Sequence, residues 1–340
     1  MWSLTGNERI VEALARSLRE GRASHAYLFT GPVGIGKSTL AMNLAQALNC
    51  TGAEPPCGSC RQCQRIAGGK HADVLTIALK SSESGEVRTG ILLDQIKDVQ
   101  QSASLRPFEG LARVFIIDGA DMLTGEAANR MLKTLEEPPD SVYFILLAAD
   151  VSRVLPTVVS RCRACDLRPV PSGKITEMLV AKHNVAQDRA ALLARLASGR
   201  PGWAIAATKD EAVLIERDEA LNEVTHVLFQ SISERLSLAG RLAGAFARDR
   251  GDALEWLTLL EQWWRDVMLV KTGHAELAVN ADREAALRES ADALTVEAIA
   301  EALRQIQDAR MHLDANVNAR LAFDVMMLRL PSAKQTVAAA

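Results

Sequence analysis

The chain has 340 residues, of which 48% are hydrophobic and 24% charged, and its formal net charge is −3. That length suits two or three domains, and so balanced a charge leaves no basic tail or acidic arm to advertise nucleic acid or lipid. The longest apolar run, Val142 to Ala149, falls far short of the ~18–20 residues that span a bilayer. The first residues lack the basic-then-apolar layout of a signal peptide, so a cytosolic protein with no membrane partner is expected.

In chain order, Ala26 to Thr30 is a short apolar run that ends at a glycine loop and predicts a strand. Leu40 to Leu48 carries apolar residues at helical spacing, and Val74 to Ile77 reads as a second strand. Ile91, Leu92, Ile96 and Val99 mark one face of a helix. Val114 to Ile117 is a wholly apolar, mostly β-branched strand; Met122 to Glu136 is helical and stopped by Pro138-Pro139; Val142 to Leu147 is another buried strand. Such alternation predicts a parallel α/β sheet.

Beyond about Pro169 the strand signals vanish. Ile175 to Ile205 predicts a small helical unit interrupted at Gly199-Arg200-Pro201-Gly202. From Lys209 to Leu330 the pattern is amphipathic helix throughout, as in Leu254, Leu257, Leu260, Trp264 and Met268 on one face. Trp256, Trp263 and Trp264 read as packing residues rather than base-stacking platforms. Lys334 to Ala340 reads as a frayed tail.

Gly31-Pro-Val-Gly34-Ile-Gly36-Lys37-Ser38 fits G-x-x-x-x-G-K-[ST] in full, after a strand and before a helix, the context that motif requires. Glycines let backbone N–H groups curl round a phosphate, and the helix adds its positive end. Lys37 is expected at the β and γ phosphates of ATP, with Ser38 on Mg²⁺ and Thr39 beside it. Val114-Phe-Ile-Ile-Asp118 supplies four apolar residues and an aspartate, which a phosphate-loop site needs to orient Mg²⁺. The next residue is Gly119, and Asp121 is expected to point elsewhere. The pattern suits ATP binding better than hydrolysis.

Cys50, Cys57, Cys60 and Cys63 place four thiols within fourteen residues, with Pro55-Pro56 and Gly58 turning the backbone. In a reducing compartment, thiolates at this pitch predict one tetrahedral Zn²⁺ in a structural role. Cys162 and Cys165 are too few for a second site.

Several of these pieces together resemble the clamp-loader subunits of bacterial DNA polymerase III, and most closely their delta prime branch. Ser24-His-Ala-Tyr-Leu-Phe29 leads into the phosphate loop and the cysteines follow it. Ala127-Ala-Asn-Arg-Met-Leu-Lys-Thr-Leu-Glu136-Glu-Pro-Pro139 is close to a family signature, and Ser160-Arg161-Cys162 is its SRC motif. The likeness is carried by residues 1–165, and farther on only by layout.

That resemblance implies a fold: an AAA+ α/β domain over 1–168 with a zinc knuckle at 50–63, a helical lid over 169–208, an all-α collar over 209–332, and a tail at 333–340. It implies a function: helping to load the sliding clamp onto primed DNA, in a hetero-oligomeric ring with gamma/tau and delta subunits. Arg161 would be the arginine finger, reaching the γ-phosphate of a neighbour's ATP. Gly119 stands where the family's motor subunits carry a catalytic glutamate. Ala148-Ala149 stand at a sensor position, and Gly202 near a sensor arginine that Arg200 could replace. These departures favour delta prime over a gamma/tau-type motor. Gly119 also argues against a stand-alone AAA+ ATPase, and the balanced charge against a zinc-dependent nucleic-acid module.

Overall fold

The computed structural model describes residues 2–78, 93–248, 250–315 and 317–332. Two compact units are present, Met1–Ile205 and Ala206–Ala340.

The first unit begins with α1 (Glu8–Arg19), β1 (Ala26–Thr30), α2 (Lys37–Asn49), α3 (Arg61–Ala67) and β2 (Val74–Ile77). It continues with α4 (Leu93–Ala103), β3 (Arg113–Asp118), a 3-10 turn (Ala120–Met122), α5 (Gly125–Glu136) and β4 (Val142–Ala148). A second 3-10 turn (Val151–Arg153), α6 (Pro156–Val159) and β5 (Arg163–Asp166) follow, then α7 (Ser172–His183), α8 (Gln187–Leu196) and α9 (Pro201–Lys209), within which the first unit ends. The strands form one sheet in the order β2-β3-β4-β1-β5, and every pairing is parallel.

Both faces of that sheet are covered, which is why its central strands read as unbroken apolar runs. Ala26, Leu28, Phe115, Ile117, Phe144 and Leu146 point to one face, where Ile96 and Val99 of α4 and Met131 and Leu135 of α5 meet them. Tyr27, Phe29, Val114, Ile116, Ile145 and Leu147 point to the other, against Leu14 of α1 and Leu40 and Leu44 of α2. Asp73, wholly buried, fixes the turn before β3. Its carboxylate accepts from the N–H groups of Phe108 (2.8 Å), Glu109 (2.8 Å) and Gly110 (2.9 Å), and from Arg113 Nη2 at 3.2 Å.

Three local differences from the sequence reading have physical causes. The helix expected from Met122 begins at Gly125, because the Thr124 hydroxyl accepts from Ala127 N (3.2 Å) and caps it there. β5 had no strand signal: it is four residues long, largely polar, and held as an edge by β1 alone. Of the face expected on α4, Ile96 and Val99 are buried, whereas Ile91 and Leu92 lie outside the described residues, as does the tail from 333.

The second unit is helical: α10 (Ala212–His226), α11 (Ile232–Arg248), α12 (Arg250–Lys271), α13 (Glu284–Asp292), α14 (Val296–Asp314) and α15 (Ala319–Arg329). Leu257, Leu260 and Trp264 are buried in its core, with Leu254 and Met268 packed at the margin. Trp256 and Trp263 join them, which settles their packing role. Arg235 of α11 is buried and donates to the carbonyls of Leu330 and Pro331, both at 2.6 Å, closing the C-terminal end of α15. Among the described residues no helix is long and apolar enough to cross a membrane.

Candidate functional site

The phosphate loop occupies the carboxyl edge of the sheet, between β1 and α2, where open parallel sheets hold their ligands. Gly31, Gly34 and Gly36 all have positive φ, at 136°, 80° and 112°. Gly36 directly precedes α2, and a side chain there would be strained at that φ and would meet Leu4 Cδ1 at 2.6 Å. Lys37 is half-buried as the first residue of α2, and Ser38 and Thr39 beside it are exposed. The Lys37 ammonium folds back on the loop, donating to the carbonyls of Gly31 and, at 3.1 Å, Pro32.

Asp118 ends β3 opposite this lysine. Burial pushes Asp118 above the usual carboxylate range; Lys37 and a hydrogen bond from Ser38 pull it back, while Asp121 adds to the rise. Lys37 is pushed down by its burial, against the pull of Asp121 and Asp118. One ammonium, two carboxylates and a hydroxyl therefore interact electrostatically at this edge of the sheet.

Asp121, expected to point elsewhere than the position beside Asp118, turns its carboxylate to the end of β4. Gly119, at φ 93°, turns the chain sharply, and the 3-10 turn that follows carries Asp121 back over the strand ends. Its Oδ2 accepts from Ala149 N (3.1 Å) and Asp150 N (3.3 Å), pinning the end of β4 beside Asp118. Ala148 and Ala149 present no polar side chain at that place.

Gly202, in the first turn of α9, sits against the phosphate loop: its N–H donates to Gly34 O at 2.7 Å. A Cβ on Gly202 would lie 2.8 Å from Gly34 O and 3.2 Å from Gly34 Cα. The approach is backbone to backbone and admits no side chain. Arg200 Nε donates to Ala197 O at 3.1 Å, and the guanidinium lies 5.9 Å from the Trp203 ring centroid.

Arg161 lies just before β5. Its Nε donates to Glu136 Oε1 at 2.9 Å, its Nη2 reaches the same oxygen, and its Nη1 donates to Thr157 O at 2.9 Å and Ser160 Oγ at 3.3 Å. The side chain is 34% exposed.

The four cysteines converge, with all Sγ atoms within 4.8 Å of one another. Cys50 follows α2 directly, Cys60 caps α3, and Cys63 lies within α3. Backbone N–H groups point at the sulfurs: Gly52 and Cys57 to Cys50 (3.4 and 3.3 Å), Cys60 to Cys57 (3.3 Å), and Cys63 to Cys60 (3.5 Å). Such donors favour thiolate. The N–H of Cys63 helps to bring Cys60 down to about 5, and that of Cys60 brings Cys57 to about 7, whereas burial pushes Cys63 up to about 12. All four sulfurs thus sit under backbone N–H donors, that of Gly58 serving Cys63, in a set that can hold a metal ion. Cys162 and Cys165 stand apart, both pushed up by burial.

Residues 6–171 match the family described as DNA polymerase III, delta subunit, and residues 214–331 match DNA polymerase III, delta subunit, C terminal. The DNA polymerase III subunit delta' of Bacillus subtilis (strain 168) is 27% identical over 323 residues, which cover 95% of each chain. Subunit tau of the same organism is 28% identical over 96% of this chain but only 60% of its own length. A gamma subunit-related protein of Thermotoga maritima has 17% identity and a TM-score of 0.42, covering 94% of this chain and 97% of its own.

Proposed function

The chain belongs to the DNA polymerase III clamp-loader family as a subunit of the delta' or tau/gamma kind, and on that premise we propose a delta prime-like role: it binds Mg·ATP, hydrolyses it poorly, and lends Arg161 to the ATP of a neighbouring subunit. In this reading 1–168 is the nucleotide domain, 169–208 the lid and 209–332 the collar.

Gly119 is the observation that carries the proposal. The attacking water needs a side chain to position it, the family's motor subunits place a glutamate next to the Mg²⁺ aspartate for that, and this chain has Gly119 there. Asp121 is no substitute, because its Oδ2 is committed to two backbone N–H groups that hold the end of β4. The lid helix brings glycine, not arginine, to the loop, and the close approach to Gly34 explains why. Binding parts are present: Lys37, Ser38 and Asp118 share a corner beneath a glycine loop. Arg161, by contrast, is partly exposed and far along the chain from that corner, as a residue serving another subunit would be.

Partners follow from the same reading: other clamp-loader subunits in a ring, and through them the sliding clamp and primed DNA. Leu321, Val325 and Leu328 stay exposed at helical spacing along α15, the kind of face a partner helix covers. The cysteine set would hold one structural Zn²⁺, joining the end of α2 to the start of α3.

The test uses the chain alone and in its assembly. Alone, it should bind Mg·ATP in a titration that Lys37→Ala abolishes, with negligible turnover. In an assembly reconstituted with its cognate subunits, Arg161→Ala should lower DNA- and clamp-stimulated ATPase. An arginine finger contributes ~10³–10⁵ in rate at the site it serves, diluted here because the other sites keep theirs. Wild-type ATPase and clamp loading with Arg161→Ala would leave only a structural subunit.

A further inference from the structure

We infer that Glu136 is the positioning residue of the Arg161 finger, holding its guanidinium aimed before a neighbour's nucleotide arrives; the inference rests on the trans-acting role proposed for Arg161. Glu136 is the last residue of α5, and Arg161 follows α6, so the contact ties two elements separated by the whole of β4. Glu136 Oε1 receives both Nε and Nη2, which fixes the inner edge of the guanidinium. Thr157 O and Ser160 Oγ hold Nη1 from the other side. Held on two sides, the side chain has little rotamer freedom left, although it is 34% exposed.

The chemistry explains why such a grip is useful. Arginine has a long side chain with much rotamer entropy, and a finger must present its charge to a phosphate in one geometry. Glu136 removes that freedom in advance; the four contacts leave one Nη2 N–H, with the full positive charge, to meet the phosphate, so less rotamer entropy is lost when it binds. The Arg161 cation also suits the C-terminal end of α5, where the helix dipole is negative. Stability gives no competing reason for the pair, since Glu136 is itself 49% exposed and ion pairs so placed contribute little. A carboxylate that acts by hydrogen bonding also has a close mimic: glutamine keeps the accepting oxygen and loses only the charge.

A double-mutant cycle on the reconstituted assembly reads this out, with DNA-stimulated ATPase as the assay and the rate removed by Arg161→Ala defined as the finger-dependent part. Glu136→Ala should cut that part on the order of 5-fold through kcat, with KM for ATP unchanged, because a misaimed finger is lost to the transition state and not to binding. Glu136→Gln should retain most of it. Adding Glu136→Ala to Arg161→Ala should cause no further loss. Equal melting temperatures and cysteine-site metal content across the variants establish that all of them fold. A fall with Arg161→Ala but none with Glu136→Ala overturns this inference alone, as does an additive double variant. A faster rate with Glu136→Gln overturns it too, because Glu136 would then be restraining the finger and not aiming it. An Arg161→Ala assembly that works at the wild-type rate overturns this inference and the trans-acting reading together.

Discussion

Asp73 and Arg113 form a buried pair, the aspartate with no exposed surface and the arginine side chain at 9%. Burial alone would raise the Asp73 carboxyl; three backbone N–H donors and the Arg113 charge outweigh it and hold the group below its ordinary value of 3.8. A carboxyl depressed in the folded state contributes stability that is complete above its unfolded pKa and is lost as pH falls through the folded one. Asp73→Ala strands Arg113 and three amide donors, and should cost about 3–5 kcal/mol in urea unfolding at neutral pH. Asp73→Asn keeps an acceptor and should cost less. The gap between wild type and Asp73→Asn should narrow as pH is lowered from about 5 to about 2, where the wild-type carboxyl protonates. A gap that stays constant across that range would assign the effect to packing, not charge. No motif surrounds Asp73, so nothing in the sequence marks it; the donors it collects come from residues 108–110, brought near only by the sheet. Asp121 is hidden in a similar way. Its place depends on the left-handed turn at Gly119, and a glycine in sequence shows what side chain is missing more readily than which way the chain then turns.

At the scale of elements, legibility followed how local the cause was. β1, β3 and β4 were visible because both of their faces are buried, leaving continuous apolar runs. β5 was invisible because an edge strand of Arg-Ala-Cys-Asp is defined by its partner and not by its own pattern. The start of α5 was blurred by Met122 and Leu123, which continue the apolar rhythm; Thr124 was the stop that outranked them. The cysteines were the easiest group to find, since all four ligands come from one short stretch. Their arrangement supports a further expectation. Cys60 caps α3 and Cys50 follows α2, so a metal ion there would weld two helix ends already joined by Ile66 packing on α2 and by Gln46 Nε2 to Cys63 O at 2.9 Å. Protein purified without chelator should carry about one zinc per chain. Cys60→Ser should lose it and open residues 50–67 to proteolysis while the sheet stays folded. Zinc content unchanged in Cys60→Ser would remove the site.

On the scale of the molecule, the poor hydrolysis proposed for this chain would rest on several absences that support one another, and restoring one part alone should not revive activity. Gly119→Glu is the natural candidate, because it puts back the carboxylate next to Asp118. Space is not the obstacle: a Cβ at 119 meets nothing closer than Met122 Cγ and Sδ at 3.7 Å. Conformation is. At φ 93° a glutamate is strained, at a cost of about 1 kcal/mol or more, which in a domain of this size lowers Tm by roughly 2–4 °C. If the backbone relaxes to relieve the strain, the turn that carries Asp121 moves, and the end of β4 loses the carboxylate that pins Ala149 and Asp150. Helix α9 cannot compensate, since an arginine at 202 would drive its Cβ into Gly34. In the proposed arrangement the finger of this chain also serves a different site, so the isolated subunit has none for its own ATP. Purified Gly119→Glu should therefore bind Mg·ATP, melt a few degrees below wild type, and turn ATP over no faster than wild type in a steady-state assay. Robust turnover by that monomer would mean that a single missing carboxylate had been the whole barrier, and the lid and finger arguments would fall with it.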